Sequence, residues 1–294
     1  MKTGVAAGIA TVVFAIVAFK AAEWTRSGVA ESAAGNVKSE AAAAVAPAGP
    51  SGSMTRIIPQ APVGSFDSGV TKYSTIVEVV NTGSSDATIT GGFYKEDGDL
   101  WPVAMTTNLD KPDSFTGSFD ALTLPAGHVL VISGGTTPAT TPSSGLIGWG
   151  KLTTTGTVSV STFFELRDGT TGVLYSRIGI AASRPDLSRF LIPRVHTRSG
   201  LDVAFAIVNT GSSPASITAT LKDASGGTLA KRSMTMNGNT HQAIFAHQFF
   251  SLSNESDDRN YQYIVFNSAS PTFAAIALAF EGGTQTSFPV DPLQ

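Results

Sequence analysis

Cysteine is absent from the 294 residues. Its absence excludes disulfides, thiolate metal sites, iron–sulfur clusters, cysteine nucleophiles and lipidated cysteine anchors. Charge is also scarce. Asp, Glu, Lys and Arg make up 14% of the chain, against roughly 25% in an ordinary globular protein. The 19 basic and 22 acidic residues leave a net charge of −3, so the chain lacks the basic face a nucleic-acid binder carries. Long amphipathic helical patterns are missing as well. What is present is 42% hydrophobic residues, 30 glycines and 15 prolines, enough apolar surface for real cores broken by frequent turns. The length alone suggests about two domains, taking ~150 residues for each.

The first apolar run is N-terminal. Lys2 precedes an unbroken small-and-apolar stretch from Gly4 to Phe19, closed by Lys20. Such a run at a chain's start reads as an export signal over residues 1–27. If Lys20 snorkels, the stretch extends over residues 4–22 and is long enough to serve as an uncleaved membrane anchor. Residues 28–53 are rich in Ala, Gly, Ser and Pro and end in AAAAVAPAGPSGS. That composition buries too little to offset its ordering entropy and reads as a flexible, disordered linker.

The rest of the chain repeats itself. Residues 79–90 read VVNTGSSDATIT and residues 207–218 read IVNTGSSPASIT, with nine of twelve positions identical at an offset of 128. Ile58-Pro59 upstream matches Ile192-Pro193. Downstream, KEDGDL matches KDASGGTL, and VSVSTFFELRDG matches FAAIALAFEGG. Period-2 alternation on both sides of the NTGSS segment places Val77, Val79, Phe205 and Ile207 inward, followed by Ala87, Ile89, Phe93, Ala215, Ile217 and Leu221. Two such runs joined by an Asn- and Gly-bearing loop read as a hairpin. In this reading Asn81, Gly83, Asn209 and Gly211 are structural turn residues: Asn bonds its own backbone and Gly tolerates positive φ. Short β-rich runs continue to the C-terminus, and the best helix candidate is a single short turn over Ala246–Leu252. The pattern predicts an all-β chain of two tandem antiparallel immunoglobulin-like β-sandwich domains, at residues 54–184 and 185–294, after the N-terminal hydrophobic helix and the linker.

The order of these signatures carries a resemblance. A leading Ile-Pro, a strand ending Val-Asn, A-x-I-T before an Asp- and Gly-bearing turn, L-P-A-G-H at 124–128, the Phe249-Phe250 pair and a closing F-P-V recur in sequence. The arrangement resembles the tandem β-sandwich repeats of large exported bacterial surface proteins. That resemblance implies an extracellular, non-enzymatic module over residues 56–294. The first repeat departs from it by a Thr/Ser-rich insertion near Gly134–Ser144 and by lacking the Phe pair.

Candidate chemistry is sparse. His128, His196, His241 and His247 show no zinc-ligand spacing; His241 and His247 would lie about 20 Å apart on one straight strand. No G-x-S-x-G elbow and no H-E-x-x-H motif occurs. Glu96, Asp97 and Asp99 form an acidic cluster that could hold calcium, but a Lys95–Asp99 turn also explains it, and the matching Asp223–Gly226 segment lacks the extra acids. Residues 254–258 form a second acidic loop. Trp101 and Trp149, with Tyr94, Tyr261 and Tyr263, are candidates for a sugar-stacking platform if they lie exposed; otherwise they pack in the core. The expectation is therefore a protein that is not an enzyme, needs no cofactor or metal and contacts the membrane only through its N-terminal segment. It would act outside the cell or on its surface as a structural or adhesion module toward a surface protein or glycan. A glycan-binding module or a subunit of a surface assembly is the alternative.

Overall fold

The computed structural model describes residues 52–110, 114–137, 140–195, 201–252, 262–281, 284–288 and 290–293. The expected signal or anchor and nearly all of the linker, together with His196, residues 254–258 and Tyr261, lie outside them. The described chain is almost entirely antiparallel β-structure. Its strands are β1 (Met54–Phe66), β2 (Thr71–Asn81), β3 (Ala87–Lys95), β4 (Ala104–Thr107), β5 (Ser114–Thr116), β6 (Ser118–Leu124), β7 (Val129–Gly134), β8 (Leu146–Thr154), β9 (Val158–Asp168) and β10 (Leu174–Ala181). They continue as β11 (Arg189–Val195), β12 (Leu201–Asn209), β13 (Ala215–Lys222), β14 (Thr228–Met236) and β15 (Thr240–Phe245). One helical turn, α1 (Ala246–Phe250), precedes β16 (Gln262–Ser268), β17 (Phe273–Glu281), β18 (Thr284–Phe288) and β19 (Asp291–Pro292).

The sequence repeat is also a repeat of topology. In the first copy one layer runs β1-β8-β3-β6 and the other contains β7-β2-β9-β10. In the second copy the layers run β11-β16-β13-β14 and β15-β12-β17-β18. Each strand of one series has its counterpart in the other. The first copy adds β4 and β5 beyond β7, inserted between β3 and β6. The second adds β19 beside β11. Each pair of layers encloses its own apolar core. Ile58, Val77, Val79, Ile89, Phe93, Trp101, Leu130 and Leu152 fill the first. Phe190, Phe205, Ile207, Ile217, Leu221, Phe266 and Phe273 fill the second. The side chains that the alternation places inward are those that meet there.

Proline marks the same irregularity twice. Ile58 pairs with Gly150 and Ala61 with Gly148, so β1 advances three residues while β8 advances two. Ile192 pairs with Ile264 and Val195 with Gln262, the same one-residue bulge. Pro59 and Pro193 have no N–H to give a ladder, and a bulge absorbs the gap. β1 then changes layers: it pairs with β8 up to Val63 and with β2 from Gly64 to Phe66. The corner falls on Gly64, at φ +103°, where a Cβ would stand 2.8 Å from the Ser144 carbonyl oxygen. This shared strand joins the first copy's two layers into one continuous ten-stranded sheet.

The NTGSS segments are not hairpins. β2 has both edges occupied, by β7 and β9, and β12 has both occupied by β15 and β17. Neither can pair with the strand that follows it, so the segment crosses from one layer to the other. The Asn side chain closes that crossing. Asn81 Oδ1 accepts the Gly83 N–H at 3.0 Å, and Asn81 Nδ2 donates to the Ser85 carbonyl at 2.8 Å and the Leu124 carbonyl at 2.9 Å. Asn209 repeats this, accepting from Gly211 N–H at 3.1 Å and donating to the carbonyls of Ser213, Met236 and Asn237. Both side chains are buried. Leu124 ends β6 and Met236 ends β14, so each Asn ties the end of one layer to the end of the other.

Replacing Asn81 or Asn209 with Ala strands buried backbone groups, each worth about 1–3 kcal/mol when left unpaired. We expect Asn209→Ala to lower unfolding stability by about 2–3 kcal/mol in urea titrations, with Ser212→Ala, on the exposed part of the same segment, within about 0.5 kcal/mol of the parent.

Candidate functional site

The most extensive chemically distinctive surface is the seam between the two copies. From Val203 to Val208 and from Phe273 to Phe280, β12 and β17 are apolar on both faces. Val203, Phe205 and Ile207 of β12 face their own core, while Ala204, Ala206 and Val208 face the first copy. On β17, Phe273, Ala275, Ala277 and Ala279 point inward and Ala274, Ile276, Leu278 and Phe280 point across the seam. The first copy meets them with Phe164 of β9 and Ile178 and Ile180 of β10, and with Ile57 and Trp149. Phe245 completes the larger cluster, edge-on to Phe280 with centroids 5.3 Å apart.

Polar contacts fix the register of this seam. The His241 N–H donates to the Glu96 carbonyl at 2.9 Å, Gln285 Nε2 donates to the Tyr73 hydroxyl at 3.1 Å, and Ser287 Oγ donates to the Gly179 carbonyl at 2.7 Å. Ser183, in the connection between copies, exchanges backbone hydrogen bonds with Ile57 at 2.7 and 2.9 Å. The Ser287 contact brings β18 against β10, the outer strand of the first copy.

Trp149 belongs to the seam. It points away from the first core and is 1% exposed, with Tyr94 stacked on it at 4.6 Å and Val208 and Ala274 of the second copy against it. Trp101 lies in the first core, also 1% exposed, tilted against Phe93 at 6.0 Å. Neither indole offers a face to solvent. The expectation of Trp101 and Trp149 as an exposed sugar-stacking platform is therefore corrected: both rings do packing work, because burying so large an apolar surface outweighs leaving it wet.

The repeat itself contains the signal that locates the seam. The pairing registers equate Ser159, Ser161, Phe163 and Glu165 of β9 with Ala274, Ile276, Leu278 and Phe280 of β17. In the first copy this face is polar: Glu165 is bridged to Arg167 at 2.8 Å and Arg177 at 3.4 Å, and Arg177 lies over the Phe163 ring. In the second copy every counterpart is apolar. A strand without alternation hides both faces, and the run FAAIALAF at 273–280 is such a strand.

The histidines separate by environment. β15 ends at Phe245, so His241 and His247 do not share a strand. His128 is exposed at the start of β7. His247 Nδ1 lies 2.5 Å from Asp202 Oδ2, both nearly buried. His241 is 5% exposed in the seam; desolvation holds its imidazole down at about 3, against a smaller upward pull from a hydrogen bond to the Pro59 backbone. Glu96, beside it, is pushed up to about 7, by desolvation first and by the neighbouring Asp97 second. In the acidic turn Lys95 Nζ reaches both Asp97, at 3.1 Å, and Asp99, at 2.9 Å, and so pairs with each carboxylate while offsetting one of the two charges. Among the described residues no three His, Asp or Glu side chains are grouped to hold a metal ion, and no helix is long and apolar enough to cross a membrane.

No protein-family model and no curated protein matches the chain. Among solved structures, a Thermotoga maritima protein aligns at 11% identity and a TM-score of 0.29, covering 37% of this chain and 96% of its own. The C-terminal domain of the Streptococcus agalactiae antigen I/II polypeptide BspA aligns at 8% identity and a TM-score of 0.19, covering 82% and 99%. The C-terminal domain of AspA, an antigen I/II-family protein of Streptococcus pyogenes, aligns at 9% identity and a TM-score of 0.19, covering 81% and 98%. At such scores the alignments carry no argument about this chain.

Buried His241 and half-buried Glu96 act in opposite directions. The folded pKa of His241 lies below its unfolded 6.5, so its contribution is complete above 6.5 and is lost as pH falls toward 3. That of Glu96 lies above its unfolded 4.5, so its contribution is complete below 4.5 and is lost as pH rises toward 7. Between 4.5 and 6.5 the slopes oppose one another. We expect Glu96→Gln to expose the histidine slope, up to about 1.4 kcal/mol per pH unit in urea unfolding, and His241→Gln to reverse its sign. A wild-type slope unchanged in both variants would show that neither group titrates as the seam dictates.

Proposed function

We propose that the chain is an exported, non-enzymatic protein whose two tandem immunoglobulin-like sandwiches, at residues 54–184 and 185–294, form a structural or adhesion module on the cell surface or outside the cell. The observation that supports this reading most directly is the seam. An apolar interface pinned by backbone and side-chain hydrogen bonds holds the two copies as one stiff body, the property required of a spacer that presents a distal surface. The N-terminal apolar run and the Ala/Gly/Ser/Pro segment give such a body a route out of the cell and a tether. A surface protein or a glycan is the partner this module would meet.

Assembly through sheet edges is disfavoured by the edges themselves. β14 is an outer strand of nine residues and carries exposed Lys231, while its Arg232 is held over the Phe249 ring. β6 faces a register break between Ile89 and Gly91 and carries Asp120. Charges and bulges are the usual protection of an open edge.

Expression of the full chain with a C-terminal epitope tag in a bacterial host tests the location. The tag should be removed by protease added to intact cells, and deletion of residues 1–27 should leave it protected inside. A full-length chain whose tag stays protected in intact cells would defeat the proposal. Light scattering should give the mass of a single chain for residues 52–294; a stable oligomer would favour the assembly reading.

A further inference from the structure

The turn between β14 and β15 holds the one Asn-Gly pair of the sequence, Asn237-Gly238. It is not a hairpin loop, because β14 and β15 lie in different layers. Contact requires the glycine: a Cβ on Gly238 would stand 2.3 Å from the Ser212 carbonyl carbon and 2.7 Å from the Gly211 carbonyl oxygen. On the other side Asn239 meets the first copy, where a Cβ on Gly98 would stand 2.4 Å from the Asn239 carbonyl oxygen. Two residues further on, the His241 N–H reaches the Glu96 carbonyl. The turn is wedged between the NTGSS crossing of its own copy and the seam.

Asparagine at 237 has no such packing role. It is exposed, and its side chain has no hydrogen-bond partner among the described residues. Asn81 bonds the Leu124 carbonyl as Asn209 bonds that of Met236, which sets Pro125 of the first copy against Asn237. The Gly238 N–H is also unengaged among the described residues. The Asn237 carbonyl, by contrast, accepts from Asn209 Nδ2 at 3.1 Å and from Thr240 Oγ1 at 2.8 Å. Loss of the Gly238 amide proton would put negative charge on that same carbonyl oxygen, and donors already aimed at it stabilise the charge as it develops.

We propose that Asn237 is a site of spontaneous modification in the folded protein, converting through a cyclic imide to aspartate and isoaspartate with water as the co-reactant. Hydroxide takes the Gly238 amide proton, and the nitrogen lone pair forms a bond to Asn237 Cγ. The Cγ–Nδ2 bond breaks, and the nitrogen leaves as ammonia with a proton from water, which restores the hydroxide. Water then opens the ring at Cγ, giving aspartate, or at the original backbone carbonyl carbon, giving isoaspartate. Isoaspartate routes the main chain through Cβ and Cγ, so the turn gains one backbone atom, and the group held by Asn209 and Thr240 becomes a free carboxylate. In a turn pressed from both sides, that added length pushes Asn239 and His241 off the seam.

The test is peptide mass spectrometry of the purified full chain, incubated folded in mildly alkaline buffer. The peptide holding Asn237 should gain the mass of an amide-to-acid exchange, at a rate that rises in proportion to hydroxide. Electron-transfer fragmentation should find isoaspartate at 237, and the isoaspartate form should unfold at lower urea than the parent. Asn237→Pro, which installs the first copy's residue, should show no mass gain. Thr240→Val removes one donor from the carbonyl and should slow the folded reaction about two- to tenfold, the range that one hydrogen bond's net strength allows, without changing the rate in urea. Should either variant fail to fold by circular dichroism, Asn237→Ser or Thr240→Ala serves in its place. The proposal is overturned by an intact Asn237 in the folded chain where the urea-unfolded chain reacts, or by a mass gain that persists without Asn237. A Thr240 variant that reacts as fast as the parent, or an isoaspartate form as stable as the parent, would overturn it equally.

Discussion

The sheet β15-β12-β17-β18 has to hide two faces. One closes over the second core; the other is apolar at its centre, in Ala204, Ala206, Val208, Ile276, Leu278 and Phe280, with Asp202, His241, Gln285 and Ser287 toward its margins. This constraint organises the molecule. Covering the second face requires the first copy to lie against it, and the first copy can do so because its β9 and β10 carry Phe164, Ile178 and Ile180 outside its own core cluster. Once the copies are so placed, Trp149 and Ile57 are enclosed and β18 lies against β10.

Duplication made two copies with one topology, and the differences between them are what turned a pair of repeats into an asymmetric body. The features retained in both are those of the single sandwich: the Asn that ties the ends of two layers, the Ile-Pro bulge and the inward residues of each strand. The features that diverged lie on outer faces. Where β9 has Ser159, Ser161 and Glu165, β17 has Ala274, Ile276 and Phe280. A face kept polar on one copy and made apolar on the other allows one docking arrangement and discourages an open-ended series, since the polar face of the first copy, with Glu165 held by Arg167 and Arg177, offers no equivalent seat.

Much of this was legible in the sequence, for a physical reason. Strand positions follow period-2 burial, and inward residues such as Val77, Phe205 and Ile217 are set by the local alternation alone. The NTGSS crossing was misread as a hairpin because its residue types suit either geometry; what decides between them is that β2 and β12 already have partners on both edges, a long-range fact. Of the two alternatives open for the tryptophans, exposed platform or core packing, the choice for Trp149 is likewise long-range. Trp149 sits among glycines on a strand whose outer face would be wet in an isolated sandwich, and only the second copy buries it. The seam was nonetheless written in the chain: aligning the two copies position by position separates polar from apolar outer faces, and the apolar one is the one that docks.

The seam also bears on how a chain without cysteine keeps two small sandwiches in place. A disulfide typically contributes about 2–4 kcal/mol. Full burial of one large apolar side chain contributes about 1.5–3 kcal/mol, an upper figure because unfolded chains already hide some surface. Ile276, Leu278, Phe280, Phe245 and Phe164 all reach near-complete burial in the seam, so a few of them outweigh a single cross-link. Burial of this kind couples the copies: separating them exposes the outer faces of β12 and β17 to water, and the hydrogen bonds of Tyr73, His241 and Ser287 are lost in the same step. The cost of bending the molecule at its midpoint is thus close to the cost of unmaking the seam, and stiffness follows from hydrophobic area in place of covalent bracing.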